Sequence, residues 1–443
     1  MTSNNRIKIT GPVLAFAITL FGCRPAKQPV LTSLDISKTI NAMSVIMIHD
    51  VTNPPLAARF FAYSCLSGYE VVAENDTTVK SMKGRLNGYP DITKPGEITG
   101  YDYRLGAILS MMQTAEKLQP SGSLMKKQEE KFLDSCRQIG FSAQTIASSV
   151  QYAGAISKQL LACAKADRYN RISNYTRYSL STKPGSWEPT PPVYMAAVEP
   201  YFNTIRSFTL DSSSQFVPVP PAPFSVDKQS AFYRAVMEVY KAGGTELTPE
   251  RRAIAGFWDC NPFAVENNGH LMIGIKKISP GAHWMGITGI ACKKAKVSFS
   301  RAMEVHAMVA IGLTDAFICC WDAKYKFNTV RPETAIRKYI DPNWKPLLQT
   351  PPFPEYISGH SVASGASAVI LTHYFGNNFS YTDDIERSFG VPPRHFTSFK
   401  QAADEAAISR FWGGIHFMNG ITNGVTQGEN VGKQVLKKVK AER

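Results

Sequence analysis

Five short polar segments, spread over residues 324–416 of a 443-residue chain, make chemical sense together only if the fold brings them to one point. They are Lys324, Arg331-Pro332, Ser358-Gly359-His360, Ser409-Arg410 and His416. Three cations, a small-residue turn able to offer backbone N–H groups, and two imidazoles are the donor set that an enclosed tetrahedral oxyanion requires. Burying such an anion is costly unless charge-assisted hydrogen bonds meet it. A lone Lys or Arg is ordinarily a solvated surface charge, so the argument rests on the joint spacing and not on any one residue.

Arg331 and Arg410 supply planar forks for the oxygens, and Lys324 a compact point charge. The segment from Ser361 to Tyr374, with Ala363, Gly365, Ala366, Ala368, Val369, Ile370 and Leu371, reads as a tightly packed helix. An anion beside Gly359 would then sit at a helix N-terminus, where free N–H groups and the helix dipole both favour it. Glycine there lets backbone approach the ligand closely. Arg410 and His416 are six residues apart, roughly 120° from sharing a face of a continuous helix, so they converge only if the backbone turns. Gly413-Gly414 offers that turn, and the spacing predicts a helix from about Ala402 into Arg410 that breaks at the glycines.

The spacing of these segments resembles the pattern shared by the vanadium-dependent haloperoxidases and the type 2 phosphatidic acid phosphatase superfamily. In this chain the pattern covers only about the last quarter, Lys324 to His416. The resemblance implies an all-α fold around a four-helix bundle and a vanadate cofactor. It makes His416 the residue whose ring nitrogen binds vanadium, or attacks phosphorus in the phosphatase relatives. Lys324, Arg331, Ser358, Gly359 and Arg410 would hold the oxygens, and His360 would be the acid–base group. Many relatives carry Asp four residues after the final His, where this chain has Gly420, so the group that orients His416 is left open. Many also have Pro directly before Ser-Gly-His, where this chain has Ile357.

Three readings of the cage stay open at this stage. A haloperoxidase would consume hydrogen peroxide on bound vanadate and release hypohalous acid. An exported acid phosphatase would use His416 as nucleophile and His360 as leaving-group acid. A non-catalytic oxyanion-binding lipoprotein would need no acid–base imidazole, which counts against it. Trp321 and Phe353 fall where fungal haloperoxidases place pocket aromatics, although each taken singly reads as core packing. An aromatic wall suits a large, weakly hydrated halide, and iodide is the easiest halide to oxidise, followed by bromide. Upstream, Gly256-Phe257-Trp258-Asp259-Cys260-Asn261-Pro262-Phe263 and Gly281-Ala282-His283-Trp284 resemble the vanadium iodoperoxidases of marine bacteria. Phe263 then falls near a position where fungal relatives carry an acidic residue beside the acid–base His, which leaves His360 without that partner. His283 is a weaker candidate for lining the entrance. His306, His373 and His395 read as structural, and His49-Asp50 as the end of an early helix.

At the N-terminus, Arg6 and Lys8 precede an apolar run from Gly11 to Gly22, too short to span a bilayer and of secretory type. Its end, Leu20-Phe21-Gly22-Cys23, resembles a bacterial lipobox. Residues 1–22 are therefore expected to be a lipoprotein signal peptide, with lipid on Cys23 tethering an exported enzyme to a periplasmic or cell-envelope membrane. No other apolar stretch reads as a transmembrane helix. Eight cysteines include Cys23, and the remaining seven, an odd number at irregular spacing with no C-x-x-C, indicate neither a full disulfide framework nor a zinc site, while leaving room for one or two disulfides. Cys319-Cys320 read as buried thiols. The net charge of +14 lacks an aromatic-interleaved basic module, so nucleic-acid binding is a poor explanation.

Helical apolar spacing or content marks Leu34–Met47, Tyr103–Leu118, Ser123–Arg137, Ala143–Ala164 and Phe299–Trp321. The Pro- and Ser-rich stretch Ser181–Ser225 is expected to wrap the core as a long connection. One domain is expected over residues 23–443, with the site in 321–416, as a monomer or small homo-oligomer.

Overall fold

Helices dominate the computed structural model, which describes Met1, residues 29–267 and residues 270–440. The proposed lipobox and Cys23 lie outside the described residues. The helices are α1 (Ser33–His49), α2 (Pro54–Ala73), α3 (Tyr103–Leu118), α4 (Gly122–Gln138), α5 (Ala143–Lys165), α6 (Ala231–Ala242) and α7 (Pro249–Phe257). They continue with α8 (Pro280–Lys294), α9 (Phe299–Phe327), α10 (Pro332–Tyr339), α11 (Gly359–Phe375), α12 (Phe399–Trp412) and α13 (Met418–Val439). Two short antiparallel hairpins interrupt them: β1 (Val265–Asn267) with β2 (Met272–Gly274), and β3 (Tyr381–Asp383) with β4 (Arg394–Phe396).

Local chemistry explains most boundaries. Thr32 and Asp35 form a capping box at α1, and Asp50 closes its far end, as the His49-Asp50 reading expects. Asn53 then caps α2 with Pro54 and Pro55 in its first turn, where a missing N–H costs nothing. Sequence periodicity gives no sign of α2 because it is buried on nearly every side, which removes the polar stripe that an amphipathic reading depends on.

α9 is the axis of the molecule. On one side it packs against α2, which in turn packs against α3 and α5; on the other it meets α11 and α13, with α12 against α11. One apolar cluster runs through both groups. Contrary to the sequence expectation, α9 is long and apolar enough to cross a bilayer, with mean hydropathy 1.5 over an 18-residue window; the same window is 94% buried inside the protein, so its apolar character serves the core.

Backbones approach closely where α11 crosses α13. A Cβ on Gly428 would lie 2.2 Å from the carbonyl oxygen of Val362, and one on Gly432 2.8 Å from that of Ala366. These contacts leave no room for a side chain, and they fix α11, whose N-terminus carries Ser358-Gly359-His360, against the helix that follows His416.

The long connection wraps the core as expected and is tied to α9 by carboxylates. Buried Asp315 accepts from Phe208 N, Thr209 N and Thr209 Oγ1 at 2.6–2.8 Å. Burial raises its pKa to about 6, against those hydrogen bonds, which lower it. The disulfide expectation fails among the described residues: Cys65, Cys136, Cys163, Cys260, Cys292, Cys319 and Cys320 are all free and buried. Each packs in the interior as a small apolar side chain.

Candidate active site

The three cations come from three helix ends. Lys324 lies in the last turn of α9 and Arg410 in the last turn of α12, where the helix dipole favours positive charge. Arg331 is the residue from which α10 starts. All three are buried to within 1%. Lys324 Nζ donates to the carbonyl oxygens of Pro354 at 2.8 Å and Glu355 at 3.1 Å. Arg331 Nε donates to Phe353 O at 2.8 Å, and its Nη1 to Ile415 O at 2.9 Å and His416 Nε2 at 3.1 Å. Arg410 Nη1 donates to His360 Nε2 at 3.1 Å.

Those bonds leave donors over. Arg331 Nη2, Arg410 Nε and Arg410 Nη2 are buried with no hydrogen-bond partner among the described residues. Unmatched guanidinium N–H groups in an interior are costly, and an oxyanion between them would satisfy them. Burial pushes Lys324 down to about 7 and Arg331 down to about 10, and also lowers Arg410.

Ser358 caps α11, its side chain accepting from Ser361 N at 3.3 Å, while Ser358 N donates to Gly420 O at 2.9 Å. The first i→i−4 bond of the helix runs from Val362 N to Ser358 O, so the N–H groups of Gly359 and His360 precede it and point out of the helix end. A Cβ on Gly359 would make only ordinary contacts, 3.7 Å from the Trp321 ring. Protein atoms therefore do not demand glycine here, whereas a ligand approaching the backbone would. Gly413 and Gly414 follow α12, Gly414 at φ +77°, and the turn brings His416 back toward Arg331.

Guanidinium groups only donate, which fixes both imidazoles. His416 Nε2 accepts from Arg331, so its proton sits on Nδ1, 2.8 Å from Glu355 Oε1. His360 Nε2 accepts from Arg410. Burial first, then the neighbouring guanidinium of Arg331 for His416 and of Arg410 for His360, hold both rings well below the usual imidazole range.

Glu355 is the functional residue that sequence spacing does not reveal. It is buried, and burial raises its pKa to about 7 against the pull of Arg331 and Lys324. Its Oε1 accepts from His416 Nδ1 and from Phe417 N at 3.1 Å. A Cβ at Gly420 would fall 2.4 Å from that same oxygen. Glycine at 420 and glutamate at 355 are therefore one arrangement: the carboxylate reaches His416 from a different segment, through space that an Asp side chain at 420 would fill. The signal was Gly420 itself, a side chain removed from a position where one was needed.

One cavity is lined by Phe263, Trp321, Phe353, Gly359, His360, Arg410 and His416, among others. The three expected aromatics thus meet the polar cage, while remaining nine-tenths or more buried. Trp321 Nε1 donates to Val198 O at 3.1 Å, and its ring lies 5.0 Å from that of Phe353. Lys324 Nζ and the Arg331 guanidinium lie 5.0 and 5.2 Å from the Phe353 ring centre, so one phenyl face helps to solvate two cations. His283 is not at the entrance. It is fully buried in the first turns of α8, which Ser279 caps and Pro280 starts. His306 Nδ1 donates to the Ala302 carbonyl oxygen within α9, and His395 lies in β4.

If Glu355 sets the orientation of His416, Glu355→Ala should weaken orthovanadate binding, measured by calorimetry, by roughly 10–100-fold. Adding Gly420→Asp to that variant should restore much of the loss, whereas Gly420→Asp alone should be disruptive. Wild-type affinity in Glu355→Ala would remove the carboxylate from this role.

Comparison with known proteins places this geometry. Residues 304–442 match the VCPO second helical-bundle domain. The vanadium chloroperoxidase of Curvularia inaequalis is 23% identical over 313 residues, 52% of this chain and 50% of the fungal protein, so the match spans half of that relative's length. The crystal structure described as the first bacterial vanadium-dependent iodoperoxidase superposes with a TM-score of 0.87 at 41% identity, covering 93% of this chain and 98% of that one. A holo-type bacterial vanadium-dependent chloroperoxidase, 16% identical, shares the fold with a TM-score of 0.63 over 88% of this chain and 93% of its own. With 41% identity over nearly the whole of a solved relative, the chain belongs to the vanadium-dependent haloperoxidase family.

Proposed function

We propose that this chain is a vanadate-dependent haloperoxidase that oxidises iodide, and more slowly bromide, with hydrogen peroxide. The observation that carries the proposal is the set of buried N–H groups on Arg331 and Arg410 with no partner among the described residues, Arg410 lining the same cavity as His416 and Arg331 bonded to the His416 ring. Those donors fit vanadate, a tetrahedral oxyanion whose charge needs charge-assisted bonds in an interior. When bound, the vanadate would supply the electrophilic centre at which peroxide is activated toward halide.

The chain's own groups have separable tasks in this reading. Arg331 Nη2, Arg410 Nε and Nη2, and the N–H groups of Gly359 and His360 would hold oxygens, with Ser358 beside them. Lys324, its Nζ fixed by two carbonyls, keeps one N–H to direct at an oxygen and stabilise charge developing there. His416 would present Nε2, kept free of a proton by the Nδ1–H to Glu355 bond, as the metal ligand. His360, neutral in the resting site, can take a proton at Nε2 and, pressed by the Arg410 charge, return it readily. Trp321, Phe353 and Phe263 would exclude bulk water and admit a large, weakly hydrated halide. The iodide preference draws on the name of the 41% identical relative and on the ease of iodide oxidation. Tethering at Cys23 to a periplasmic or cell-envelope membrane remains part of the proposal, supported by the sequence of residues 1–23.

Peroxide-dependent iodide oxidation by chelator-stripped protein should appear only on adding orthovanadate, and His360→Ala should lower kcat by about 10²–10⁴-fold. Hydrolysis of a phosphate ester that vanadate blocks, with no iodide oxidation, would make the same cage a phosphatase. For the anchor, the wild-type chain should fractionate with membranes and Cys23→Ala with the soluble fraction; identical fractionation would refute it.

A further inference from the structure

A second cluster of ligand-type side chains lies outside the cage and takes no part in the reaction above. Cys260, His283 and Glu386 come from the segment after α7, the start of α8 and the short turn Ile385–Phe389, and all three are buried. Cys260 Sγ is 3.4 Å from His283 Nδ1 and 3.9 Å from Glu386 Oε1, and Nδ1 is 3.7 Å from that carboxylate oxygen. Zinc–ligand distances of about 2.3 Å to sulfur and about 2.0–2.2 Å to nitrogen or oxygen separate tetrahedral ligand atoms by roughly 3.3–3.6 Å. The observed triangle matches that size to within a few tenths of an ångström.

The other side of the imidazole is also arranged for a ligand. His283 Nε2 lies 2.8 Å from Asp383 Oδ2, and Asp383 is held in β3 and accepts from Ile385 N at 3.1 Å. A carboxylate behind a histidine fixes the ring and leaves the opposite nitrogen free to bind metal. Trp258 stacks on the same ring at 4.8 Å between centroids, limiting its rotation. Thiolate and imidazole together select a borderline cation over magnesium or calcium.

We propose that Cys260, His283 and Glu386 bind one divalent transition-metal ion, zinc being the best match, with Asp383 as the group that orients His283. The site has three protein ligands and one further coordination position, and Cys260 also lines the main cavity, which gives the ion a route in. Bound there, the ion would cross-link three segments, among them the one that carries Trp258. It adjoins the oxyanion cage through the cavity that Cys260, His360 and Arg410 line, but takes a cation where the cage takes an anion.

Cobalt(II) titration of the intact, chelator-stripped chain tests this. One equivalent should bind with a thiolate-to-cobalt charge-transfer band and tetrahedral visible absorption, and zinc should abolish both. Cys260→Ser should lose the charge-transfer band, and Asp383→Asn should keep it with affinity lowered about 10–100-fold. Glu386→Gln, with folding checked by circular dichroism, should lower affinity at least tenfold and serves if Cys260→Ser does not fold. Absence of the band in folded wild-type protein, or its persistence in folded Cys260→Ser, would show a hydrogen-bonded thiol–imidazole–carboxylate cluster instead and overturn the proposal. Wild-type affinity in Glu386→Gln would do the same.

Discussion

Three cations are buried together here with the Glu355 carboxylate beside them, and the rest of the structure depends on tolerating that. Removing Lys324, Arg331 and Arg410 from water disfavours their charged forms, and each also repels the others. Four backbone carbonyls, the face of Phe353 and Glu355 offset part of this, but not the unpartnered guanidinium groups. The sign of the pH dependence follows for Lys324. Its folded value of about 7 lies below the ordinary 10.5, so the anion-free protein is penalised in full below about pH 7 and gains stability as pH rises toward 10.5, where the unfolded chain still holds the proton. A bound oxyanion reverses the balance by favouring the charged forms.

Such a site needs a frame that does not relax around it, and the packing supplies one. α9 is enclosed between two groups of helices and delivers Lys324 from a rigid core. α11 and α13 approach at near backbone contact, so the free N–H groups of the α11 N-terminus and the segment carrying His416 keep a fixed relation. A loose frame would let the cations swing to solvent, where they would cost nothing and bind weakly.

The cage was legible in the sequence because its chemistry lies in short local segments. Gly413-Gly414 had to be a turn if Arg410 and His416 were to meet, and Ser358-Gly359 had to open a helix if backbone donors were to face the anion. What was not legible depends on long-range or all-round contacts. α2 and the membrane-like composition of α9 mislead any periodicity argument, since a fully enclosed helix has no polar face to show. His283, placed near the entrance from its Pro-Gly context, is enclosed by Asp383, Cys260 and Trp258, none of them adjacent in sequence. Glu355 was hidden for the opposite reason. It stands where no familiar spacing puts it, and only the space opened at Gly420 explains how it reaches His416.

Equilibrium unfolding of the wild type and Lys324→Met, with and without orthovanadate and below the pH at which Lys324 titrates, tests the central claim most directly. If the buried cations are held for the anion, Lys324→Met without vanadate will be at least as stable as the wild type, and vanadate will stabilise the wild type far more than the variant. A vanadate-free variant clearly less stable than the wild type, with equal stabilisation of both by vanadate, would show that Lys324 is a structural residue and is not held for the anion.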